Sequence, residues 1–205
     1  MTLYINCCVR EESRTKRLAM AVLHKLGGDF TELNLYKENL KPLDRDTLNK
    51  RTALIEQGNY SDPMFDYAKQ FANADTIVIA APYWDLSFPA TLKTYIENIY
   101  VTGIVSAYDE IGMPVGLCNA KALYYVTTAG GPYDPTYSYG YIESLAKSFF
   151  GIPVTHLVKA EMLDVEGYDA EEIMNREINR ICAPRRRADS LAGEKPARKG
   201  LANHR

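Results

Sequence analysis

Two hydroxyl residues, Ser13 and Thr15, stand two positions apart where a helix begins, among four cations, Arg10, Arg14, Lys16 and Arg17. The first turn of an α-helix leaves backbone N–H groups without partners, and the helix dipole adds partial positive charge there. Hydroxyls, free amides and cations in one turn make a cradle for an anion. Ser13 or Thr15 acting only as a helix N-cap would explain the same residues. The missing glycines say which anion. A dinucleotide site wants G-x-G-x-x-G and a P-loop wants G-x-x-x-x-G-K-[ST], and neither occurs in this chain. Hydroxyls and amides wrapped round one terminal phosphate need no close backbone approach to a pyrophosphate, so a monophosphate is expected.

Two more segments carry unusual chemistry. Ala81-Pro82-Tyr83-Trp84-Asp85-Leu86-Ser87-Phe88-Pro89-Ala90 holds the only Trp, a Tyr and a Phe between prolines. Aromatics on a loop fit a flat ligand lying on them, and a subunit contact is the competing explanation. Thr127-Thr128-Ala129-Gly130-Gly131-Pro132-Tyr133 offers glycines that let the main chain approach a ligand edge, or that only close a tight turn. Metal chemistry is not expected: Cys7, Cys8, Cys118 and Cys182 form no C-x-x-C pair, and His24, His156 and His204 give no zinc spacing. The cysteines read as reduced thiols of a cytoplasmic protein.

All three segments follow apolar runs that read as strands. TLYIN precedes the first, TIVIAAP (76–82) the second and ALYYVTTAGG the third. TIVIAAP is a continuous run of β-branched residues, the pattern of a strand buried on both faces. Phe30 to Leu35 reads as a further strand and PVTHLVKAEML as the last. Leu18, Ala19, Val22, Leu23 and Leu26 mark one helix, which Gly27-Gly28 should end. Phe65, Ala68, Phe71 and Ala72 mark another, Leu92, Tyr95, Ile96 and Ile99 a third, and Tyr141 to Phe150 a fourth. Asp169 with Glu172 should cap the last, through Ile181. The polar stretch 37–63 has weak periodicity and room for a short helix. Five strands separated by helices make an α/β, doubly wound parallel sheet with helices on both faces. In such sheets a ligand lies beyond the carboxyl ends of the strands, where the three unusual segments fall.

The chain is 205 residues long with a formal net charge of -2, which suits one domain and argues against nucleic acid or anionic membrane as main partner. No apolar stretch approaches the length of a membrane span, and the N-terminus begins directly with a strand, with no signal peptide expected. Residues 184–205 carry seven Lys or Arg, two acids and two Pro, with almost nothing to bury. A basic flexible tail is expected there, after a single domain over 1–183.

Taken together, these residues resemble the flavodoxin-like NAD(P)H dehydrogenase (quinone) and FMN-dependent azoreductase family. APYWDLSFPATLKTYIEN is similar to that family's P-x-x-W/N and P-A-x-L-K segment, TTAGG to its second isoalloxazine loop, and SRT to its phosphate loop. The likeness runs from about residue 2 to 181. It implies the strand order 2-1-3-4-5, FMN as cofactor and NADH or NADPH as electron donor. Ser13, Arg14 and Thr15 would cradle the phosphate, with Cys8 where many members have a serine. Pro82, Tyr83, Trp84 and Asp85, with Thr128, Ala129, Gly130 and Gly131, would line the ring. Tyr133 stands where azoreductases often have a histidine, and is the candidate catalytic residue or a wall of the pocket. The implied activity is ping-pong hydride transfer to a small-molecule quinone or azo acceptor, in a cytoplasmic homodimer with both chains around each flavin. A flavodoxin-type electron carrier and a non-catalytic flavin sensor are the alternatives.

Overall fold

Strand β1 (Thr2–Asn6) occupies the middle of the sheet and alternates strictly: Leu3 and Ile5 face one core, Tyr4 the other. That is the two-residue period of a pleated strand with both faces covered. In the computed structural model, which describes residues 1–183, β1 is followed by α1 (Arg14–Leu26), β2 (Phe30–Asn34) and α2 (Arg45–Glu56). A 3₁₀ turn at Pro63–Phe65 leads into α3 (Asp66–Asn73), then β3 (Thr76–Ala80) and α4 (Ala90–Ile99). A short hairpin, β4 (Ser106–Tyr108) and β5 (Pro114–Gly116), precedes β6 (Ala122–Thr128), α5 (Tyr139–Leu145), β7 (Val154–Ala160) and α6 (Ala170–Cys182).

The sheet order is β2-β1-β3-β6-β7, and each neighbouring pair is parallel. Leaving out the separate β4–β5 hairpin, this is the expected 2-1-3-4-5. The α1 and α6 side is packed with Tyr4, Leu18, Val22, Val78, Val126 and Met174. The opposite side holds Leu3, Ile5, Phe71, Ile77, Leu92, Tyr95 and Phe150. Each fully buried Leu, Ile or Phe stabilises the fold by about 1.5–3 kcal/mol relative to exposure.

The helix expected from Tyr141 starts two residues earlier and ends in a π-helical turn, Ala146–Phe150. The helix expected within 37–63 is α2. It has no fully buried residue and lies on α4 through Arg51, whose Nη1 donates to the Glu97 carbonyl at 2.9 Å. The last strand stops at Ala160 rather than Leu163, because Met162 turns to φ 66° and the chain folds back. At the amino-terminal edge of the strands, Gly27 (φ 70°) ends α1 in the conformation glycine favours. Lys25, in that last turn, donates to the Ala183 carbonyl at 2.6 Å and to that of Cys182 at 3.4 Å. No helix among the described residues is long and apolar enough to cross a membrane. The expected tail, 184–205, lies outside the described residues.

Candidate functional site

β1, β3 and β6 end side by side, so the loops leaving them converge. Cys7 donates its N–H to the Ala80 carbonyl, Ala81 to Val126 and Tyr83 to Thr128, at 2.9, 2.9 and 3.1 Å. These bonds carry the strand pairing one step past the sheet and fix where each loop departs. Beyond them opens a cleft of about 430 Å³, within the range of small-molecule sites.

One end is built by the entry to α1. Ser13 is the N-cap, with its Oγ accepting from the Lys16 N–H at 3.3 Å. Capping and anion binding do not compete, because the cap uses the oxygen as acceptor and leaves the hydroxyl proton to donate. Thr15 is buried, with its Oγ1 2.6 Å from Thr128 Oγ1. Two hydroxyls share one proton in that contact, so the pair keeps one donor for a ligand. The backbone N–H groups from Val9 to Thr15 have no acceptor among the described residues, which leaves them open to solvent or to an anion. Arg14 reaches across the cleft, its Nη1 2.7 Å from Asp164 Oδ1.

Cys8 lies under this loop rather than in the lining. Its N–H donates to Asn6 Oδ1 at 2.9 Å and its thiol is buried. Burial pushes the thiol pKa up, against smaller lowering by Ser13 and Lys16. Cys7, the adjacent residue, faces the other core, so the two thiols sit on opposite faces of the sheet.

The other end is aromatic. Pro82, Tyr83 and Trp84 line it together with Thr128, Ala129 and Gly130. Trp84 and Ser87 exchange backbone hydrogen bonds of 3.0 and 2.8 Å around a two-residue turn. Its central residues, Asp85 and Leu86, have φ of 49° and 66°. This left-handed pair is what a tight two-residue turn requires and is strained for a leucine. Asp85 therefore sits at the turn's tip, outside the lining. The amides of Tyr83 and Trp84 are spent within the loops, whereas those of Gly130 and Gly131 have no acceptor among the described residues.

Tyr133 stands one layer back. Its ring meets Tyr83 edge to face at 4.8 Å, its hydroxyl is 2.8 Å from Ser138 Oγ, and its N–H donates to Glu161 Oε2 at 2.8 Å. Burial raises its pKa, with Ser138 pulling it back. Gly131 is also outside the lining, and its carbonyl accepts from the Met162 N–H at 3.1 Å.

A fourth wall was not expected from sequence. The loop after β7 brings Leu163 and Asp164 into the lining, zipped to the glycine loop by Leu163 N–H to Ala129 and Asp164 N–H to Gly130, at 3.2 and 2.9 Å. A Cβ at Gly130 would lie 2.5 Å from Asp164 Oδ2. A side chain there would have to displace the protein's own carboxylate, whatever the ligand. Val9 and Glu12 complete the mouth. None of these carried a motif that sequence spacing could reveal.

A doubly wound sheet with unpaired amides after its first strand and aromatic and glycine loops after its third and fourth is an α/β architecture that places a ligand cleft at the carboxyl ends of its strands. The chain belongs to the flavodoxin-like fold family, whose model matches residues 1–183. It is 36% identical over 188 residues to an FMN-dependent NADH:quinone oxidoreductase of Clostridium perfringens, covering 87% of this chain and 94% of that protein. It is 37% identical over 192 residues to FMN-dependent NADH:quinone oxidoreductase 2 of Clostridium acetobutylicum, with the same coverage. Among solved structures, an azoreductase of Bacillus anthracis superposes with a TM-score of 0.76 at 27% identity, over 88% of this chain and 96% of that one.

Proposed function

We propose that this chain is an FMN-dependent NAD(P)H oxidoreductase that reduces quinones or azo compounds, through a single catalytic domain over 1–183. The observation that carries this is the order of chemistry along the cleft. Free amides from Val9 to Thr15 and the hydroxyls of Ser13 and Thr15 stand at one end, and Tyr83, Trp84 and the unpaired Gly130 amide at the other, with the unpaired Gly131 amide next to it just outside the lining. FMN has a phosphate at one end and a flat, hydrogen-bonding ring at the other, so the donor set fits it.

FMN, when bound, would supply the capacity for hydride transfer between a nicotinamide donor and the quinone or azo acceptor. The chain's own residues bind and orient. Ser13, Arg14 and the Thr15–Thr128 pair hold the phosphate, with Cys8 supporting them from below. Pro82, Tyr83 and Trp84 would line the ring, and the Gly130 and Gly131 amides would be available to negative charge at its edge. Asp85 shapes the turn that presents Trp84. Tyr133 backs Tyr83, and its hydroxyl, already held by Ser138, serves the wall.

The same reading gives a cytoplasmic homodimer. The thiols are free, as in a reducing compartment. A cleft served by loops on one side leaves the other face of a flat ring to be covered. The β4–β5 hairpin and the segment after Tyr133 offer exposed apolar groups for that role: Ile111 at 83% exposure, with Tyr108, Met113, Val115 and Tyr137.

The test is the visible spectrum of the purified protein, followed by NADH added without oxygen. A bound flavin spectrum that bleaches is expected, and a second half-reaction with a quinone should restore it. A colourless protein that takes up no FMN refutes the proposal. Light scattering at micromolar concentration should give twice the chain mass, and a fully active monomer would break the dimer model.

A further inference from the structure

We propose that Asp164 is a positioning residue that clasps the two ends of the flavin site together. The inference rests on the flavin reading above and assigns a role to a residue that no motif marks. Asp164 touches both ends at once. Its Oδ1 accepts from Arg14 Nη1 at 2.7 Å, fixing the cation of the helix-entry loop, while Leu163 O lies 3.4 Å from the same Nη1. Its N–H donates to the Gly130 carbonyl at 2.9 Å, and its carboxylate fills the space that a Cβ at Gly130 would occupy. Without this contact Arg14, on a long flexible side chain, would range over many rotamers, and fixing it afterwards would oppose phosphate binding.

A carboxylate beside a phosphate site also repels the phosphate. The side chains of Arg14 and Asp164 are 43% and 69% exposed, so solvent screens that repulsion. The guanidinium keeps further N–H groups for a second anion while one is held. The clasp therefore orders Arg14 without consuming it.

The two roles have opposite signs. Apo-protein titrated with FMN and with riboflavin, followed by flavin fluorescence, separates them. Asp164→Ala should weaken FMN by about three- to fivefold, the scale of an exposed ion pair, and leave riboflavin unchanged. Asp164→Asn, which retains an oxygen for Arg14, should stay near wild type. In an Arg14→Met background, Asp164→Ala should have no further effect on FMN. A second readout needs no ligand: Gly130→Ala should lower the melting temperature of the apo-protein in the wild type, and much less once Asp164 is Ala. Tighter FMN binding by Asp164→Ala, or losses that multiply in the double variant, would overturn the clasp in a protein that still binds FMN. Failure of the wild type to bind FMN would instead overturn the flavin reading and this inference with it.

Discussion

The two ends of the cleft solve opposite problems with the same backbone. At the α1 end the main chain is left unpaired, and the amides from Val9 to Thr15 wait for an acceptor. In the aromatic loop after β3 the main chain is spent: Tyr83, Trp84 and Ser87 all donate inside the protein, side chains present the surface, and the free amides at this end are those of Gly130 and Gly131 on the neighbouring loop. Free amides make a site for charge that holds little shape until an anion arrives. A bonded turn makes a shape that can offer only rings and edges. Affinity for the charged part of a ligand and affinity for its flat part should therefore be separable by mutation.

The largest separation is expected from Ser13→Ala combined with Thr15→Val. Hydrogen bonds to a charged group contribute about 1.5–3 kcal/mol each, so FMN affinity should fall at least tenfold. Riboflavin, which has no phosphate, should bind as before. Equal losses for both flavins would mean that the two ends are not independent.

Trp84→Ala probes the other end. It should weaken FMN and riboflavin alike, by about three- to tenfold for a lost aromatic contact. In the wild type, the emission of this only tryptophan should be quenched in the holoprotein and recover when FMN is removed. Unchanged emission would move the ring away from this loop.

Cys8→Ser sharpens the comparison from beneath the cradle. The Cys8 thiol is buried beneath the loop and outside the lining, so FMN affinity should change by less than about twofold, below the ~0.5 kcal/mol of one net hydrogen bond, with riboflavin unaffected. The smallest effect is on stability in alkali. Burial holds the Cys7 and Cys8 thiols above their ordinary range, while the unfolded chain releases those protons near pH 8.5. The folded state then binds more protons than the unfolded one, so stability is full below that pH and declines as pH rises past it. Denaturation midpoints measured from neutral to about pH 10 should fall, with Cys8→Ser showing the shallower decline.

Much of this was readable from residue order. The β-branched run at 76–80 and the Leu18, Val22, Leu23 stripe reported elements that bury one side or both, and burial leaves a period in the sequence. The hairpin at 106–116 was not readable. Its strands are three residues each and Tyr108, Met113 and Val115 stay exposed, so no apolar alternation against a core marks them. The N-cap at Asp169 was legible, and its Oδ1 takes the N–H groups of both Glu171 and Glu172. Asp164 was invisible for a different reason. Its partners Arg14 and Gly130 are distant in sequence: the parallel register of β6 and β7 brings Gly130 to it, and the packing of α1 on that side of the sheet brings Arg14. Gly130 was legible as a close approach, though the approaching group proved to be this carboxylate.

The bond from Lys25 to the last carbonyls of α6 has a practical consequence. Helix α1 starts at the cleft and runs away from it for thirteen residues, or about 20 Å at 1.5 Å per residue, and Lys25 in its final turn pins residue 183 there. A tether attached at residue 183 itself leaves from the side of the domain opposite the cleft. Immobilised by that end on an electrode or a bead, the protein would turn its cleft outward to solution.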